Sequence, residues 1–310
     1  VTRVSVRRRR LYAVGGTVLG TAAVITAIAL ASNQDKPSAN DLGPAKSPSG
    51  AVDPTSTDPA PTTTTVASYY LGDTPGGPKL FREFRAVETD DEVAGALQLL
   101  MTPPVDPDYS TPWHPGSFSD ASLGGGSVTQ SDPEVMYVTL ADAALHGRPA
   151  GMSDQQAEMA IQQVVYTLQA AVQERAAVQF MFNGNPIDQV LGVPTSEPLT
   201  NASPLATLSH VSISDPAENA TVSGSFDASG AANSFEANLL WEIRQGDQVV
   251  SSGNFGADGW AADKLFAWEG TVDVRGLTPG TYTFAISEDD PSGGAEGNGP
   301  DSDTRTIVVQ

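Results

Sequence analysis

Between Pro103 and Pro115 one proline-rich loop gathers Asp106, Asp108, Tyr109, Trp113 and His114. Two carboxylates and an imidazole are the parts of general acid–base catalysis, and an indole beside them is a face on which a sugar ring can stack. A glycoside-cleaving site needs its acid and base to face each other across a substrate. Carboxylates at i and i+2 of one loop more often cap turns or meet water. The pattern therefore names no catalytic residue. It offers Asp106, Asp108, Tyr109 and Trp113 as candidates for non-catalytic contact with a glycan or peptide, beside the plainer reading of packing within the loop.

A second concentration of oxygen ligands lies near the C-terminus, in Glu288, Asp289, Asp290, Glu296, Asp301 and Asp303. Calcium favours such hard donors, and Glu288, Asp289 and Asp290 are the candidates for it. The EF-hand spacing is lacking, and a solvated glycine-rich loop or a seat for a partner's basic patch would have the same composition. His114, His146 and His210 are too dispersed along the chain to read as a metal triad. No nucleophile elbow, P-loop or dinucleotide fingerprint occurs, so no cofactor is expected. The absence of cysteine removes disulfides, thiolate metal sites, thiol nucleophiles and a lipidated cysteine anchor.

The chain that must position these groups has 310 residues, room for about two domains with appendages. Its 37 acids outnumber 16 bases for a net charge of -21, which argues against nucleic-acid binding. The bases are unevenly placed: Arg3 and Arg7 to Arg10 precede Leu11 to Ala31, a stretch with no charged side chain. As a helix rising ~1.5 Å per residue that stretch covers about 31 Å, enough to cross a bilayer, and the positive-inside bias would put residues 1–10 in the cytoplasm. A single-pass signal anchor with everything beyond it extracytoplasmic is the expectation. Ala29-Leu30-Ala31 before Ser32 also fits a cleavage site, so a removed signal peptide is the alternative. From Ser32 to Val66 the chain holds six prolines, eleven Ser or Thr and no aromatic residue, the composition of a disordered tether.

Folded sequence is expected from residue 67. Ser68 to Gly72 and Leu80 to Val87 are rich in β-formers around an Asp73 to Pro78 turn cluster, which predicts a hairpin. Thr89 and Glu92 have capping-box spacing, followed by Val93, Ala96, Leu97 and Leu100 at helical period; Pro103-Pro104 stops the run. Ser153 and Gln156 form a second box before the stripe Ala157, Ala160, Ile161, Val164, Val165, Leu168, Ala171 and Val172. Glu134 to Leu140 and Val178 to Phe182 read as strands, with Asn183-Gly184 turning the second into Ile187 to Leu191. The order is mixed α/β (α+β). Tyr69-Tyr70-Leu71, Leu80 to Arg85, Gln162 to Leu168 and Val178 to Gly184, in that order, resemble a GerMN domain of sporulation and germination proteins, also found in actinobacterial envelope proteins. The resemblance spans about residues 67–202 and implies a compact module for extracytoplasmic assembly rather than catalysis. It departs from the sporulation protein in having one copy instead of a tandem pair.

From residue 205 to 310 the pattern changes to seven period-2 strands separated by turn residues, the signature of an all-β sandwich. They are Val211 to Ile213, Ala220 to Asp227, Phe235 to Arg244, Gln248 to Phe255, Leu265 to Val274, Thr281 to Glu288 and Arg305 to Val309. Trp241 and Trp268 are expected core anchors, and Leu277 to Tyr282 has the form of a tyrosine corner. Phe235-Glu236-Ala237 and Glu288 to Gly294 resemble Gmad2, the immunoglobulin-like domain of bacterial spore germination. A non-catalytic, membrane-anchored envelope protein that binds another protein or a cell-wall polymer is the expected function. The alternatives are a carbohydrate-active enzyme centred on Asp106, Asp108 and His114, or a structural spacer.

Overall fold

A computed structural model describes residues 63–89, 91–124, 135–292 and 297–310. The expected anchor at 11–31, nearly all of the tether and Glu296 lie outside the described residues, among which no helix is long and apolar enough to cross a membrane. The described residues form one compact unit that nevertheless contains two large, separate hydrophobic cores.

The first core belongs to an α+β module. Strand β1 (Thr63–Thr74) turns through Pro75-Gly76 into β2 (Gly77–Glu88), giving the expected hairpin with longer arms. Thr63 to Val66, assigned to the tether from composition, are strand: β-branched residues pair here with Arg85 to Glu88, and Val66 is buried. Helix α1 (Glu92–Leu100) is capped by Asp91, whose carboxylate accepts from the N–H groups of Val93 and Ala94. This replaces the expected Thr89–Glu92 box, because the Thr89 hydroxyl is taken by the Asp91 N–H. After the short β3 (Tyr109–Ser110), which joins the edge of β1, come β4 (Phe118–Leu123) and β5 (Val135–Leu140).

Helix α2 (Asp154–Val172) starts at the Ser153–Gln156 capping box, both halves of which form. It crosses over to β6 (Ala177–Phe182), which lies parallel to β5. Short pairs β7 (Asn185–Pro186), β8 (Gln189–Val190) and β9 (Val193–Pro194) close the module, with Asn183 and Gly184 at positive φ as the turn requires. The expected stripe of α2 joins the main core, with Val172 only partly buried. Its other side is covered too, since Met159 and Tyr166 pack on Leu71 and Leu80 of the hairpin.

A linker containing the one-turn helix α3 (Pro204–Thr207) leads to the second core. Here β10 (Val211–Asp215), β12 (Ser225–Ala232) and β15 (Phe266–Asp273) form one sheet in the order β10-β12-β15. Facing it are β11 (Ala220–Val222), β17 (Ser302–Val309), β16 (Gly280–Glu288), β13 (Asn238–Gln245) and β14 (Gln248–Gly256), in the order β11-β17-β16-β13-β14. The single strand expected over 220–227 is two, because Gly224 at φ +67 bends the chain from one sheet to the other. Phe235–Ala237 is a 3₁₀ turn rather than strand. Trp268 is fully inside, whereas Trp241 sits half-buried against Phe255. The Tyr282 hydroxyl donates to the Thr278 carbonyl at 2.8 Å, completing the tyrosine corner.

Candidate functional site

Alternation along β17 buries Asp303, Arg305, Ile307 and Val309. The last two fill the sandwich core; the first two face the other module. Arg305 is only 4% exposed, so its charge needs partners. It finds them across the joint. Nη1 contacts Asp106 Oδ2 at 2.5 Å, the Tyr109 hydroxyl at 2.9 Å and Asp303 Oδ1 at 2.9 Å, while Nη2 donates to the Ile213 carbonyl at 2.8 Å. The Tyr109 hydroxyl donates in turn to Asp303 Oδ1 at 2.6 Å, and its ring stacks on Phe81 at 4.8 Å. Glu83 on β2 fixes the loop from behind by accepting from the Val105 and Asp106 N–H groups. Gly72 lets this packing close: a Cβ there would come within 2.7 Å of the Phe81 ring.

One guanidinium faces two carboxyls in this clamp. Burial raises both, and it pushes Asp106 up to about 7 against the pull of the Asp108 N–H and of Arg305. Four donors converge on Asp303: Tyr109 O–H, Ile213 N–H, Thr304 N–H and Arg305. Asp106 receives two, from Asp108 N–H and Arg305, so its charged form is the less well stabilised of the two. For Arg305 burial works downward, yet the attraction of Asp303, Tyr109 and Asp106 outweighs it and the net shift is upward.

The acidic loop does comparable work at the linker. His210 Nδ1 lies 3.1 Å from Glu288 Oε1, and Nε2 lies 3.0 Å from the Leu205 carbonyl. The His210 N–H donates to Asp301 Oδ2 at 2.9 Å, and the Asp301 N–H donates to Glu288 Oε2 at 2.8 Å. His210, Glu288 and Asp301 bring ligand atoms within 4.8 Å of one another, a spacing a cation could use. With an acceptor on each ring nitrogen, however, the arrangement suits an imidazolium. The hydrogen bond to Glu288 raises the His210 pKa accordingly, against the effect of burial. Of the other calcium candidates, Asp289 accepts from Asn238 Nδ2, and Asp290 accepts from the Ser292 N–H and hydroxyl.

The proline-rich loop is thus divided. Asp106 and Tyr109 are buried in the clamp; Asp108 is exposed at its rim and accepts from the Thr304 hydroxyl at 2.8 Å. Trp113 is 2% exposed in the first core, 4.9 Å from the Phe118 ring, so its indole is packing and offers no face to a sugar. His114 is turned to Asp142, 3.4 Å away. Sequence reasoning missed Asp303, Arg305 and His210 as members of these sites. The signal for two of them was present: charged residues in phase with Ile307 and Val309 belong to a buried face and so require partners.

The joint and the two cores define the class, an α+β module docked on an immunoglobulin-like sandwich. Residues 61–188 match the Germane family, described as sporulation and spore germination, and residues 210–295 match Gmad2, the immunoglobulin-like domain of bacterial spore germination. The chain therefore carries a Germane domain followed by a Gmad2 domain, as the resemblances implied. Among solved structures it is similar to the tandem GerMN domains of the sporulation protein GerM from Bacillus subtilis, at 14% identity and a TM-score of 0.32. That match covers 48% of this chain and 49% of the other, so the chain spans about half of its relative's length. No curated protein matches the chain.

Proposed function

We propose that this chain is a non-catalytic, membrane-anchored protein whose Germane and Gmad2 domains are held outside the cytoplasm as one head that binds or scaffolds envelope components. The observation that carries this reading is the engagement of Asp106, Asp108 and Tyr109. The groups best suited to acid–base chemistry face Arg305, Asp303 and Thr304 of the neighbouring domain instead of an open cleft. Their role is to fix the angle between two binding surfaces. The arginine run before the uncharged stretch at 11–31 supports anchoring, and the strongly acidic remainder suits an exposed, soluble head. Crosslinking of the full-length protein in intact cells, followed by identification of the adducts, tests this. An envelope protein or wall polymer is the expected catch. Turnover of purified wall fragments that disappears in Asp108→Asn would overturn the reading in favour of a carbohydrate-active enzyme.

A further inference from the structure

The joint has an open side as well as a sealed one. A groove of about 460 Å³ runs between the domains, within the size range of ligand sites, and domain boundaries are where such sites concentrate. Its apolar lining is offered by the half-buried Tyr69, Leu208 and Leu265, with the buried Leu80 and Tyr166 packed behind them. The Tyr69 and Tyr166 rings meet there with centroids 5.4 Å apart.

Its charge sets it apart. Four of the arginines in the described residues are paired with carboxylates: Arg148, Arg244, Arg275 and Arg305. Five cations among the described residues have no such partner, namely Lys79, Arg82, Arg85, Arg175 and Lys264, and Arg82, Arg175 and Lys264 all line this one groove. Glu174 is its sole acid among the described lining residues, in a chain with more than two acids per base. Arg175 taken alone could answer the carbonyl end of α2. Arg82 and Lys264 come from other elements, and each is braced without being neutralised: Arg82 lies 4.6 Å over the Phe84 ring with a hydrogen bond to Ser214, and Lys264 lies 4.6 Å over the Phe266 ring. Cations held in place over an apolar floor, in a molecule that could have paired them with any of many acids, are arranged for an incoming anion.

We propose that this groove binds an acidic peptide segment of a partner protein, an aliphatic or aromatic side chain seating on Tyr69, Leu208 and Leu265 while flanking carboxylates meet Arg82, Arg175 and Lys264. A peptide suits the site better than a carboxylated glycan, because the floor is built of leucines and of tyrosines whose faces are largely covered. The proposal rests on the binding function above and names its site.

The test is selection of a displayed random dodecapeptide library on the full-length protein in nanodiscs, followed by titration of a synthesised hit. Enriched sequences should place Asp or Glu beside Leu, Phe or Tyr. The hit should bind roughly tenfold or more weakly to Arg175→Glu/Lys264→Glu, and as weakly to the native protein when its own acids are replaced by amides, with affinity falling as salt rises. The amide peptide needs no protein variant, and Lys264→Ala provides a milder one. Enrichment of basic or neutral peptides, equal binding by the charge-reversed protein, or saturation by a hyaluronan tetrasaccharide with no peptide enriched would each overturn the proposal. A partner crosslinked in cells as efficiently by the charge-reversed protein would sink the groove assignment and leave the broader binding function standing.

Discussion

The two sides of the domain joint handle charge in opposite ways. In the clamp, Arg305 is buried and surrounded by acceptors from both domains. A few strands away, Arg82, Arg175 and Lys264 border a groove with no carboxylate partner among the described residues. Desolvated charge that is fully paired fixes an arrangement, since any shift strands an ion in a low-dielectric interior. Charge left at an open rim costs little and remains available to something else. One interface thus separates holding from binding, and substitutions on its two sides should act on different observables.

The largest effect belongs to the clamp. Arg305→Met leaves Asp303 and Asp106 buried without their cation and should cost about 3–5 kcal/mol. Because the two cores are distinct, the loss should appear by calorimetry as two separated transitions where the native protein shows one. A single unshifted transition would mean that the clamp does not couple the domains. Tyr109→Phe keeps the ring stack on Phe81 but removes the donor to Asp303, and about 1–3 kcal/mol should be lost in urea denaturation.

Why the joint escaped sequence reasoning, while the modules on either side did not, follows from distance along the chain. The α2 stripe, the Ser153 box and the Tyr282 corner are set by neighbours within a few residues, and all form as their spacing indicates. Asp91 capping α1 in place of Thr89, and Gly224 splitting one strand into two, are near misses of the same local kind. Arg305 and Asp106 are 199 residues apart, and no pattern in either segment specifies the other. Composition was correct that acids crowd two loops, but whether an acid meets water, a cation or a buried arginine depends on docking. Only the alternation of β17 carried a hint, by placing Arg305 on the same face as Ile307.

Protonation gives a smaller effect with a defined sign. The Asp106 carboxyl is raised from 3.8 to about 7 in the folded chain. Its contribution is therefore complete below about pH 4 and is lost as pH rises through about 7. His210, also raised, acts in the same direction: its share is present below its unfolded value of 6.5 and lost above the folded one. The melting temperature should fall between pH 5 and pH 8, corresponding to roughly 1–3 kcal/mol. Asp106→Asn should flatten the part of that slope below pH 7, and His210→Gln the part above pH 6.5. A slope unchanged in both variants would place the titrating groups elsewhere.

The smallest expected change sharpens the contrast most. Arg175 and Lys264 are exposed and outside every ion pair in the described residues, so reversing both charges removes no buried contact. In a protein of net charge -21 the change costs weak, screened repulsion, including that from nearby Glu174, together with two exposed contacts, that of Arg175 with the carbonyl end of α2 and that of Lys264 with the Phe266 ring. Stability should fall by no more than about 1 kcal/mol at 0.15 M salt, while binding of an acidic peptide weakens roughly tenfold or more. If the double reversal instead destabilised the fold as Tyr109→Phe does, these cations would be structural. The separation of holding from binding would then fail at the point where it makes its strictest demand.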